Sequence, residues 1–192
     1  AADAPERRVA QVATAVLGGG YSARLGSELR IKRGLTYGAS AGQDSQVSGG
    51  ILKAAAQTKP SSAAEVAQVT ADEMQRLGRE APGAEELAAR QATLTGGFAR
   101  QLDTTAGIAA VVLGEVERGR PLDRLNQVVG EIEAVTAEQV RAYAATHWAP
   151  GQLRTVVVGD IAAGGPALKA LDAQAQLLDA AAVDLDSPTL KR

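Results

Sequence analysis

Leu17-Gly-Gly-Gly-Tyr-Ser-Ala-Arg24-Leu25-Gly-Ser-Glu-Leu29-Arg30-Ile-Lys-Arg-Gly34-Leu35-Thr36-Tyr37-Gly38-Ala-Ser40 changes backbone habit twice. Upstream of it, Val9, Val12, Ala13, Val16 and Leu17 recur with helical spacing behind Asp3 and Glu6, a pair with the form of a capping box. That pattern predicts a helix over 4–17. Gly18 to Gly20 stop the helix by offering the left-handed conformation its C-terminus needs, and Ser22 is placed to cap a short second helix carrying Leu25 and Leu29 and ending near Gly34. From Leu35 to Ala56 the pattern changes to small residues, Thr and Ser in alternation. A break around Gln43-Asp44 and a soft spot at Gly49-Gly50 predict two strands paired as a hairpin.

Beyond the hairpin the chain reads as mostly helical. Ser62 and Glu65 form a capping box ahead of Val66, Val69, Met74 and Leu77, giving a helix to about Gly78. Pro82-Gly83 opens another, with Leu87, Leu94, Phe98 and Leu102 on one stripe and a kink expected at Gly96-Gly97. Further helices are expected at 104–118, at 121–133, and at 137–147 behind the Thr136-to-Gln139 capping box. Leu153 to Val158 reads as a short strand buried on both faces, followed by a short helix and an acidic, Ala-rich tail. The fold class is therefore α+β, a mostly antiparallel sheet with several helices layered on one face. Three strands are few for so many helices, so N-terminal strands of the domain are expected to be missing from the chain. The expected division is a domain over 1–160 and an appended helix and tail over 161–192.

Composition excludes several classes of function. With 20 basic and 22 acidic residues the formal charge is −2, and Lys and Arg are scattered, leaving no basic stripe for a nucleic acid backbone. No window approaches the roughly 18 apolar residues that span a bilayer. The chain has one histidine and no cysteine, whereas a catalytic zinc normally takes three protein ligands, so no metal site is expected here. Neither H-E-x-x-H nor its inverse can be written from His147, which is expected to be a partly buried residue closing a helix. The triple glycine has neither phosphate-loop spacing and follows a helix instead of a strand, which argues against nucleotide binding.

With those readings in place, "LGGGYSARL…LRIKRGLTYGAS" resembles the signature of the C-terminal domains of pitrilysin/insulinase-type zinc metallopeptidases. "AAQTKP", "EIEAVTAEQVRAYA" and "TVVVGD" follow in that family's order and spacing, so the resemblance extends from about Pro5 to Asp160. It implies a non-catalytic, substrate-binding half that closes with a zinc-bearing half around an unfolded peptide, the zinc belonging to that partner half. It also implies that Arg30 and, seven positions on, Tyr37 reach the peptide. Both are hydrogen-bond donors at neutral pH, suited to holding a peptide carbonyl and stabilising the oxyanion that develops on it. Taken without the resemblance, the residues favour a plainer reading, with Arg30 paired to Glu28 and Tyr37 packed on the sheet. Arg24, Lys32 and Arg33 are expected to be solvated or structural. A catalytically dead scaffold subunit and a stand-alone module that binds peptides by strand addition are the competing functions. A periplasmic setting is what the resemblance makes most plausible.

Overall fold

The computed structural model describes residues 6–46, 49–184 and 186–187. Helix α1 spans Arg7–Gly18 and buries Val12, Val16 and Leu17 completely, while Glu6 at its N-cap makes no side-chain capping bond. Asp3, the other half of the expected capping box, lies outside the described residues. After the glycine turn the chain enters a π-helix over Gly26–Lys32, wider than the α-helix expected there. Leu25 and Leu29 are buried either way, because their four-residue spacing fits both windings and cannot tell them apart. Ser22 does not cap this segment; its Oγ accepts a hydrogen bond from Arg90 Nη2 at 2.7 Å. Gly34, at φ +63°, turns the chain out of the π-helix as its position foretold.

Strands β1 (Thr36–Gln46) and β2 (Gly49–Thr58) form the expected antiparallel hairpin, in register from Ala39↔Ala56 to Gln46↔Gly49. Leu52, Ala54 and Ala56 alternate toward the core with Ala39 and Ala41, and the small side chain of Ala41 lets α1 approach closely. A Cβ added at Gly18 would lie 2.3 Å from the Ala41 amide nitrogen. The register slips between Thr36 and Ala39, so Tyr37 and Gly38 stand opposite Gln57 alone, a β-bulge. Thr36 Oγ1 stitches it, donating to the Gln57 carbonyl at 2.6 Å and accepting from the Gly38 N–H at 3.0 Å.

Helix α2 (Ala63–Arg79) follows a 3₁₀ turn at Pro60–Ser62. That turn leaves Ser62 at φ −104°, ψ 1°, outside extended geometry, so the expected capping bond is not made. Helix α3 (Ala84–Leu102) runs unbroken through Gly96-Gly97, where the Arg100 guanidinium lies over the bare backbone. Helix α4 (Thr105–Glu117) is capped by Thr104, and a 3₁₀ turn at Leu122–Gln127 precedes α5 (Val128–Glu133), so the helix expected over 121–133 is two segments. Gln91 Nε2 donates toward the carbonyls of Ile132, Glu133 and Val135 at 3.0–3.1 Å, tying α3 to the C-terminal end of α5 and the turn after it. Helix α6 (Ala137–His147) starts at the full Thr136–Gln139 capping box read from sequence, and α7 (Ile161–Leu171) starts on Asp160.

The core gathers α1, the π-helix, α2, α5 and α6: Leu17, Leu25, Leu29, Leu77, Ile132 and Val140 are all essentially inaccessible. Each contributes about 1.5–3 kcal/mol of transfer free energy. Residues 153–158 depart most from expectation. They form no strand, and Val156 and Val158 are 86% and 95% exposed. The branched apolar run has β propensity, but among the described residues the sheet consists of the hairpin alone and no strand lies beside the run to pair with it. The α+β layering stands, with two strands where three were expected.

Candidate functional site

The π-helix carries Arg30 and the bulge carries Tyr37, the two devices most often found re-aiming side chains at functional sites. The Gly34 turn between them folds the chain back, and the Leu35 N–H donates to the Leu29 carbonyl at 2.8 Å, fixing strand to helix end. The result is contact: the Arg30 guanidinium carbon sits 4.5 Å from the Tyr37 ring centroid and 4.7 Å from that of Tyr21. Both rings face solvent, Tyr37 being 85% and Tyr21 60% exposed.

Arg30 does not pair with Glu28, because that carboxylate is taken by Lys32 and Arg33, whose charge and hydrogen bonding hold it below the usual carboxylate range. Tyr37 does not pack on the sheet either. Among the described residues Arg30 has no ion pair and no side-chain hydrogen bond; its planar cation is held by ring contact instead. A ring contact of this kind uses the positive charge of the guanidinium and does not consume its N–H groups as hydrogen-bond donors. Tyr21 was missed in the sequence, where it reads as part of a glycine turn. Only the fold brings it to Arg30, nine positions later.

The other basic residues of the stretch are structural. Arg24 is buried and bonds both oxygens of Glu86, at 2.9 and 3.0 Å, tying the start of the π-helix to α3. His147 ends α6 as expected but is exposed, not partly buried, its ring tilted against that of Tyr143 with centroids 4.4 Å apart and its Nε2 3.3 Å from Glu6. Among the described residues no three His, Asp or Glu side chains converge as metal ligands.

Residues 1–94 match the family model described as the peptidase M16 inactive domain. The chain carries a peptidase M16 inactive domain. It is 32% identical over 129 residues to uncharacterized zinc proteases of Mycobacterium tuberculosis and Mycobacterium bovis, a match covering 67% of this chain and 29% of those proteins. The match thus spans under a third of the length of these relatives. Among solved structures, an M16 inactive domain from Pseudomonas fluorescens superposes with TM-score 0.69 at 27% identity, covering 76% of this chain and 35% of that one. An inactive peptidase domain from Bordetella parapertussis has the same fold, with TM-score 0.69 at 17% identity and 79% and 82% of the two chains covered. A chain of complex III from Candida albicans shares the fold at TM-score 0.64 and 17% identity, with 75% and 36% covered. The zinc in the relatives' names does not fit the described residues of this domain, where His147 and Glu6 find no third ligand.

Proposed function

We propose that this M16 inactive domain is the non-catalytic, substrate-binding half of a zinc-dependent metalloendopeptidase, with residues 1–160 forming that half and 161–192 appended to it. A zinc-bearing half, on the same polypeptide or a separate one, supplies the metal chemistry. Arg30 and Tyr37 supply donors to the peptide: the guanidinium edge and the phenol hydroxyl meet a backbone carbonyl and hold it as negative charge grows on its oxygen.

The observation that carries this reading is the state of Arg30, a cation with no ion pair or side-chain hydrogen bond among the described residues, set against two exposed rings. A scaffold role gives no account of that arrangement. Fluorescence anisotropy of a labelled, unstructured peptide titrated with the domain tests the proposal. Saturable binding that Arg30→Ala weakens by about tenfold, the loss of a charge-assisted hydrogen bond, is the expected result. Binding indifferent to Arg30, or no binding, moves the domain to the scaffold or strand-addition class.

A further inference from the structure

A second feature lies at the opposite end of α1 from Tyr21 and Arg30. Arg7 and Gly18 are the first and last residues of this helix, roughly 16 Å apart along the axis. Here α1, α3, α4 and α5, with the 3₁₀ turn before α5, line a cleft of about 610 Å³ that is open on one side to solvent, within the size range of small-molecule sites. Its two linings differ. Leu94, Phe98, Val111 and Leu125 make an apolar floor, while Arg7, Arg8, Arg100 and Arg118 contribute guanidiniums from three helix ends.

The acids nearby are already committed. Glu115, also in the lining, is bonded by Arg120 through Nε at 2.7 Å and through Nη2, and Glu131 holds Arg8 at 2.8 Å. Arg118 Nη1 donates to the Gly114 carbonyl. Among the described residues Arg7 and Arg100 have no side-chain hydrogen bond or ion pair. Arg7 and Arg8 also occupy the first turn of α1, which contains no acid of its own, where the helix dipole favours negative charge. Burial and the positive charges of Arg8, Arg120 and Arg118 lower Arg7 to about 10, so it stays protonated at neutral pH but is crowded by like charge.

The geometry points to a binding site for a small amphiphilic anion, a carboxylate or phosphate head on an apolar body the size of a short acyl chain. The head group bridges Arg7 and Arg100, and the body lies on Phe98 and Leu125. Calorimetric titration of the full chain with octyl phosphate and octanoate tests this and separates the two head groups. Inorganic phosphate serves as head alone, and octyltrimethylammonium carries the same tail with the opposite charge.

Saturable binding of at least one anionic ligand is expected below about 1 mM, with inorganic phosphate weaker and the cation not bound. Arg7→Gln and the exposed Arg100→Gln each weaken it by about tenfold, while Arg79→Gln, at the far end of α2, changes nothing. Equal binding of the cation, unchanged affinity in both lining variants, or no binding of either anion overturns the assignment. Because Arg100 is exposed, its replacement does not threaten the fold, and the cation control needs no variant.

Discussion

At the residue scale the account turns on how Arg30 is held. Two ring contacts orient the guanidinium, each worth about 0.5–1 kcal/mol at an exposed site. Tyr21→Ala therefore lowers peptide affinity by about threefold, and Arg30→Lys by more, because an ammonium cannot stack as a plane or donate in a fixed fork. Both are surface changes, so thermal unfolding should move little while anisotropy reports the loss. The buried pair predicts the reverse: Glu115→Gln strips Arg120 of its bidentate carboxylate and costs about 3 kcal/mol of stability, read from urea unfolding, without touching peptide binding.

Charge at single residues also sets the acid limit. Burial alone would raise Glu115 and Glu131, but the hydrogen bonds and charges of Arg120 and Arg8 hold both below the usual carboxylate range. A depressed carboxylate contributes stability that is complete above its unfolded pKa, near about 4.3, and lost as pH falls toward the folded value. Glu73 works in the opposite sense, since burial outweighs Arg76 and raises it, so its protonation favours the folded chain. Unfolding temperature should hold from neutral pH to about 5 and fall below about 4, and Glu115→Gln should flatten that fall in a circular dichroism series.

At the scale of elements, the π-helix, the Gly34 turn and the bulge act as one device that converts seven positions of sequence into side-chain contact. Gly34 and Gly119 share φ +63°, and neither has an atom within 4 Å of an added Cβ. Alanine at either position costs about 1 kcal/mol for the left-handed backbone. Only Gly34→Ala should also weaken peptide binding, because only that turn sets Arg30 against Tyr37. Parallel measurement of melting and anisotropy on the two variants separates strain from function.

The same elements show what was legible. Helices with local punctuation are legible: the Thr136–Gln139 box starts α6. Ser22 and Ser62 carried the same signal, yet a partner from α3 took one and a 3₁₀ turn displaced the other. Arg30 and Tyr37 were named from the motif, but the π winding, the bulge and the third member, Tyr21, follow from nonlocal packing. The basic cavity was invisible because its arginines come from distant helices.

For the whole molecule, the hairpin carries α1 on its core face, and the chain from 154 to 158 runs exposed with no strand beside it among the described residues. Branched apolar residues suit a strand, but a strand needs a neighbour to pair with. Exposed Val156 and Val158 predict concentration-dependent self-association in sedimentation velocity, which Val156→Lys with Val158→Lys should suppress without altering the peptide site.

If this domain lends donors to chemistry performed by a zinc-bearing half, kcat on an unfolded peptide with both halves present depends on those donors. Arg30→Ala and Tyr37→Phe should each lower kcat by about 10² while circular dichroism stays unchanged. Wild-type kcat in both variants would contradict the account.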